Sequence, residues 1–241
     1  MTRSRPDYAR FTLTPEEADC TCDAQAPLPP LTEPETQPDF DPHAAGLDAE
    51  TLVPAGGAGV IELFMYLRAG WAAARHDMWT RSGVAARLVR VSSALPDGFG
   101  LAVFDAWRPL ALQEEIYEAT YGPGAFEPGL APGYVSEPVD DPSRPPPHLT
   151  GGTVDLTLTF HGEPLALGTA FDAFTPRAHA DALESEAGTE RELRRLLYWA
   201  MRAEDFVVYT NEWWHFEYGT RRWAAILGRD PQYGPATDTL R

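Results

Sequence analysis

Lysine is missing from this 241-residue chain: all 19 basic residues are arginine, against 36 acidic ones, for a formal charge of −17. So negative a surface repels a phosphate backbone and an anionic bilayer, which argues against nucleic acid and membrane as partners. The missing lysine, beside abundant Ala, Pro and Gly, reads as coding bias and carries no function. Cysteine is nearly absent as well. Cys20 and Cys22 are separated by a single residue, too close for an ordinary disulfide, and two thiols are too few for a four-thiolate metal site. No run approaches the ~18 apolar residues that span a bilayer, and Arg3, Arg5 and Arg10 are not followed by the apolar stretch of a leader. A cytoplasmic location is the resulting expectation. What the chain does have is core material, 44% apolar and 11% aromatic residues, enough for one large domain and against wholesale disorder.

Residues 1–50 hold eight of the 23 prolines and eleven of the 36 acidic residues, which breaks up apolar periodicity. This segment reads as an arm, either disordered or laid over a domain formed by residues 51–241, with Tyr8, Phe11, Leu28, Leu31 and Phe40 as anchors. From Val60 onward, Ile61, Phe64, Met65, Leu67 and Trp71 recur at helical spacing, and Val84, Leu88, Val91 and Leu95 form a second stripe. Two helices are predicted there. Phe99 to Phe104 reads as a strand, Leu110 to Thr120 as a helix, and Tyr121 to Pro147 as a long Pro/Gly-rich loop suited to a lid. Asp155 to Phe160 alternates as a strand. Thr189 and Glu192 form a capping-box pattern ahead of a helix carrying Leu193, Leu197 and Met201, and Val207–Thr210 and Trp213–Tyr218 read as paired strands. The irregular mixture predicts an α+β fold with a central antiparallel sheet flanked by helices.

Chemistry concentrates in three segments: Asp105-x-x-Arg108-Pro109, His148-x-x-Gly151-x-x-x-Asp155 and Glu212-Trp213-Trp214-His215. Two imidazoles and a carboxylate form the donor set of catalytic zinc, which keeps one position open for water. Gly151 and Gly152 let the backbone fold back so that His148 and Asp155 converge. Taken singly, each of these residues has a plainer explanation: a loop histidine, a strand-start cap, a packed imidazole, a surface arginine. His43, His76, His161 and His179 belong to no such pattern.

Taken together, the three segments resemble the zinc D-alanyl-D-alanine dipeptidases of the vancomycin-resistance type, within the superfamily of D,D-peptidases and hedgehog-like domains. The resemblance covers roughly residues 60–228. It implies one zinc per chain on His148, Asp155 and His215, with Glu212 as general base and Arg108 acting on the transition state. It also implies the hedgehog/D,D-peptidase fold and a small dipeptide, D-alanyl-D-alanine foremost, as substrate. One departure stands out. The family commonly has Ser two residues before the first zinc histidine, to help hold the substrate amine, whereas this chain has Pro146.

Strand geometry alone points elsewhere for the base. In a regular strand Glu217 shares the face of His215 and Glu212 does not, so Glu212 serves only if it still lies in the incoming loop or at a bulge. Trp213 and Trp214 are expected to form core and pocket wall, and hydroxyl or acidic groups around residues 134–144 to meet the substrate ammonium. Two further readings fit the same residues. One is a D,D- or L,D-carboxypeptidase or endopeptidase on peptidoglycan stems; the other is a non-catalytic hedgehog-like zinc module, which would need neither Glu212 nor Arg108.

Overall fold

The computed structural model describes residues 4–20, 28–31 and 50–236. Cys22, Phe40 and His43 lie outside them. In chain order the elements are β1 (Leu52–Pro54), β2 (Val60–Glu62), α1 (Met65–Arg68), β3 (Trp79–Arg81), α2 (Ser82–Ala94), β4 (Phe99–Asp105) and α3 (Leu110–Tyr121). Then follow β5 (Thr153–Phe160), β6 (Glu163–Pro164), α4 (Thr189–Ala203), β7 (Val207–Val208), β8 (His215–Glu217) and α5 (Arg221–Leu227).

The main sheet runs in the order β2-β4-β5-β8-β7, with β6 paired to β5 and a separate β1–β3 pair. Its centre is antiparallel as the alternation of Asp155 to Phe160 implies, but β2 joins β4 in parallel. The predicted sheet is thus mixed at one edge. The cause lies in residues 60–71, where a long helix was expected. β-branched Val60 and Ile61 favour a pleated surface, Phe64 sits at φ 50° in the left-handed region, and only Met65–Arg68 turns as helix. The chain then travels through β3 and α2 before returning as β4, and a long crossover of that kind brings strands back in parallel.

Residues of β4 and β5 are buried on both faces, because helices and loops cover the sheet from either side. Val84, Leu88 and Val91 give α2 its buried stripe, and α4 contributes Leu193, Leu197 and Met201. Replacing a side chain such as Leu197, 1% exposed, by Ala would cost about 2–5 kcal/mol. Thr189 is the first residue of α4 rather than its cap: Gly188 occupies the cap position, and no side chain satisfies the end of the helix there. The capping-box expectation fails on that point, since Gly188 at φ 151° makes the turn by backbone freedom.

The described part of the arm lies against the domain. Tyr8 is 3% exposed, its ring edge-on to Tyr66 and Phe171, and Trp71 Nε1 donates to its hydroxyl. Leu13 bridges in parallel to Leu165, and Leu31 is buried.

Candidate active site

Three carboxylate and imidazole residues stand on one rung of the sheet. Asp105 on β4 is the register partner of Asp155 on β5, and Asp155 is the partner of His215 on β8. A bulge between Val103 and Asp105 ends β4 beside this rung, and the chain leaving it carries Arg108. His148 arrives from the opposite direction on a short 3-10 turn, Pro147–Thr150. The turn closes on Gly151 at φ 71°; a Cβ there would stand 2.7 Å from Leu52, and one at Gly152 only 2.4 Å from the Tyr218 carbonyl. These glycines are therefore fixed by space as well as by torsion.

The donor atoms of His148, Asp155 and His215 all lie within 4.8 Å of one another, and all three residues are buried. Each imidazole is oriented by a partner at its other nitrogen. His148 Nδ1 is 2.7 Å from the Ala106 carbonyl, which makes it the protonated nitrogen and turns Nε2 to within 3.2 Å of Asp155 Oδ2. His215 Nε2 is 3.1 Å from Glu217 Oε1, so Nδ1 is the nitrogen that faces Asp155 Oδ1, at 3.0 Å. Second-layer partners of this kind fix the tautomer and direction of ligating histidines. Asp155 Oδ1 is buried with no aligned hydrogen-bond donor among the described residues. A buried carboxylate oxygen so orphaned, beside one imidazole and on a carboxylate whose other oxygen meets a second, fits a divalent cation such as zinc.

The two glutamates have different surroundings. Glu217 is fully buried and accepts from the Thr220 hydroxyl and, at 2.7 Å, from Arg222 Nε; burial opposes its charge, but Arg222 and His215 hold it down at about 2. Glu212 precedes β8 in a turn, its N–H donating to Tyr209 O, and its Oε2 comes within 3.6 Å of His215 Nδ1. The loop geometry that allows Glu212 to face the donor cluster is the one present. Burial, with Asp155 and Asp172 adding, pushes Glu212 up to about 8 against the opposing pull of His215 and Arg108. A group in that range can both take and return a proton near neutrality. His215 is raised to about 10: burial works against its charge, yet the carboxylates at its two nitrogens prevail. The negative surroundings that hold a proton there also favour a cation.

Arg108 is buried, donating from Nε to Asp105 Oδ2 at 2.9 Å and from Nη1 to Gln113 Oε1 at 2.9 Å. Its Nη2 reaches Tyr66 OH at 3.2 Å and Asp155 Oδ2 at 3.4 Å. Asp105 and Gln113 thus aim a permanent charge at the pocket.

The pocket above these groups, about 50 Å³, is walled by Tyr66, Tyr134, Phe174 and Tyr209 and by Asp172, none of which sequence reasoning singled out. Trp213 and Trp214 are core residues, 3% and 0% exposed, and line no part of it. The expectation that they form pocket wall is corrected: they lie in the turn before β8 and pack inward, Trp213 beside Phe104 and Trp214 beside Phe171. Ser136 is the one hydroxyl of residues 134–144 at the pocket besides Tyr134, and the buried carboxylates there, besides Asp155, are Asp172 and Glu212. Asp172, held by Tyr66 OH at 3.1 Å and backbone-strained at φ 56°, left no trace in the sequence pattern. Pro146 lies apart from them, in the wall of a neighbouring cavity.

A sheet rung bearing Asp155 and His215, completed to a His–Asp–His donor set by His148 from the facing 3-10 turn, with a carboxylate and a directed arginine beside it, is the frame of a metal-dependent hydrolase. Comparison with known proteins agrees. The family described as D-ala-D-ala dipeptidase matches residues 74–227. The D-alanyl-D-alanine dipeptidase of Synechocystis sp. is 28% identical over 174 residues, covering 60% of this chain and 70% of that protein. That of Escherichia coli is 30% identical over 138 residues, 57% of this chain and 64% of that protein, and that of Streptomyces coelicolor 41% over 75 residues, 29% and 35%. The chain belongs to the D-ala-D-ala dipeptidase family and is a metallopeptidase. No helix among the described residues is long and apolar enough to cross a membrane.

Proposed function

We propose that the chain hydrolyses a small dipeptide with a C-terminal D-residue, D-alanyl-D-alanine foremost, on one zinc ion held by His148, Asp155 and His215. In this reading residues 51–241 form the catalytic domain, of the hedgehog/D,D-peptidase kind, and residues 1–50 an arm laid over it. The observation that carries the reading is the convergence of Glu212, Arg108 and the orphaned Asp155 Oδ1 on one small pocket. Zinc, when bound, lowers the pKa of water and polarises the scissile carbonyl.

The protein's own groups do the rest. Glu212 takes a proton from the attacking water and passes it to the leaving amine, a transfer that its raised pKa suits. Arg108 stands where negative charge develops on the carbonyl oxygen, and its bonds to Asp105 and Gln113 hold it in place beforehand. Asp172 offers the substrate ammonium a buried carboxylate on the same wall as Glu212. Tyr134 stacked on Phe174, with ring centroids 5.1 Å apart, and the loop pinned by Gln113 Nε2 on Ser136 O at 2.6 Å close the pocket against longer peptides.

Purified zinc-loaded protein should cleave D-alanyl-D-alanine, and Glu212→Gln should retain metal and lose the activity. Faster cleavage of a peptidoglycan stem pentapeptide than of any free dipeptide would favour the carboxypeptidase reading. Stoichiometric zinc without turnover of either would favour the binding module.

A further inference from the structure

Beside the small pocket lies a larger cavity of about 400 Å³, and Ser136, Pro147 and Arg222 belong to the walls of both. Arg144, Arg221 and Arg222 line this chamber, together with Thr150 and Thr220. Three of its lining side chains are thus cationic, in a chain of formal charge −17. Two carboxylates also face it. Glu217 is already held by Thr220, Arg222 and His215, and Glu137 is exposed. Arg222 stands at the junction, its guanidinium carbon 4.1 Å over the Tyr209 ring and its Nε spent on Glu217, with 21% of its side chain exposed. Pro146, where the family commonly has Ser, lines this chamber rather than the wall of Asp172 and Glu212. The departure therefore bears on the leaving residue more than on the substrate amine.

We propose that Arg222 receives a carboxylate of the substrate's C-terminal residue, and that the chamber behind it admits that carboxylate on a side chain as well as on the main chain. The inference rests on the dipeptidase reading and adds to it the group that recognises the leaving residue. A guanidinium seated on an aromatic face and anchored through Nε keeps its Nη groups as a preorganised fork for a carboxylate. The two ends of the substrate then meet opposite charges, Asp172 in the small pocket and Arg222 at its junction with the chamber. The chamber's volume gives a longer acidic side chain somewhere to go, which the small pocket alone does not.

The test is binding, measured by calorimetry on zinc-loaded Glu212→Gln protein, which separates recognition from turnover. The probes are D-alanyl-D-alanine, D-alanyl-D-alaninamide and D-alanyl-D-isoglutamine, carrying a main-chain carboxylate, no carboxylate and a side-chain carboxylate in turn. At least one acid should bind about tenfold or more tightly than the amide, the usual scale for a charge-assisted hydrogen bond. Adding Arg222→Gln, which keeps a donor for Glu217, should bring that ratio to within twofold at unchanged zinc content; Arg222→Lys should recover part of it. An advantage for the first acid identifies the main chain as the source, and one for the second the side chain. An advantage that survives Arg222→Gln, the absence of any advantage, or a loss equal for acid and amide with loss of zinc would each overturn the assignment. The parent reading is judged separately, by whether wild-type protein hydrolyses the first dipeptide at all.

Discussion

Glu217 Oε1 lies 3.1 Å from His215 Nε2, while Asp155 Oδ1 lies 3.0 Å from Nδ1 of the same ring. The imidazole is thus clamped between a buried anchor and the donor cluster, and of the two glutamates Glu212 is the one that lines the pocket. Glu212→Gln should keep zinc and lower kcat by at least ~10²-fold. Glu217→Gln should instead weaken metal affinity by about 10–100-fold, with turnover returning at saturating zinc. Metal titrations of the two variants, followed by kinetics at excess zinc, separate the roles; the reverse pattern would exchange them.

Metal analysis of gently purified protein should give one zinc per chain. The double variant His148→Ala, His215→Ala should give none, because it leaves Asp155 as the sole member of the cluster. Chelation should lower Tm in the wild type and leave the double variant unmoved, since a metal bound only by the folded state stabilises it by mass action. Retained zinc in the double variant would place the ion elsewhere.

Arg108 makes its bonds to Asp105 and Gln113 with different edges of the guanidinium. Lysine keeps the charge and loses that fork. For Arg108→Lys, kcat should fall more than KM rises, the signature of an interaction made chiefly in the transition state. A change confined to KM would reassign Arg108 to substrate binding.

The legible and the hidden parts of this molecule divide on physical lines. β4, β5, α2, α3 and α4 carry their periodicity in residues such as Leu88, Ile116 and Leu197, so local pattern suffices to find them. The stripe of residues 60–71 misled because the same spacing arises when a strand, a left-handed Phe64 and one helical turn follow each other. His148, Asp155, Glu212 and His215 announce themselves through short spacing and rare residue types. Asp172, Tyr66 and Arg222 do not, since tertiary packing alone brings them to the pocket from distant parts of the chain.

Asp172 supplies a pH signature. Burial, with Asp155 adding, raises it from 3.8 to about 7, against the pull of Arg5 and Arg108. Below pH 4 both folded and unfolded chains keep the proton, so Asp172 contributes nothing to pH dependence there. Between about pH 4 and 7 the unfolded chain loses the proton and the fold keeps it, so this group makes stability fall as pH rises; above 7 the penalty is complete. In chelator-treated protein, Asp172→Asn should remove that slope, gaining on the wild type by ~4 kcal/mol between pH 4 and pH 8. Urea unfolding at several pH values reads the difference, and a gap independent of pH would return Asp172 to the ordinary carboxylate range.

Substrate length is decided by the loop from Tyr121 to Pro147. Tyr121 OH accepts from the N–H groups of Tyr134 and Val135, Tyr209 OH donates to Gly133 O, and Gln113 donates to Ser136 O. The loop is therefore tied down at several points, and Pro145 and Pro146 stiffen its exit directly before Pro147 and His148, each ring fixing φ. A wall held this firmly rejects an extra residue by steric exclusion and by stranding a buried charge, where a slack loop would only weaken binding. Free dipeptides with a C-terminal D-residue should be cleaved, and tripeptides should fall at least ~10²-fold lower in kcat/KM. Loosening the wall tests its cause: Tyr209→Phe removes the tie to Gly133, and Tyr134→Ala removes the stack on Phe174. Both together should narrow the gap between dipeptide and tripeptide, chiefly by raising the tripeptide rate, at unchanged zinc content. If the gap persists in the double variant, some part of the site other than this loop sets the length.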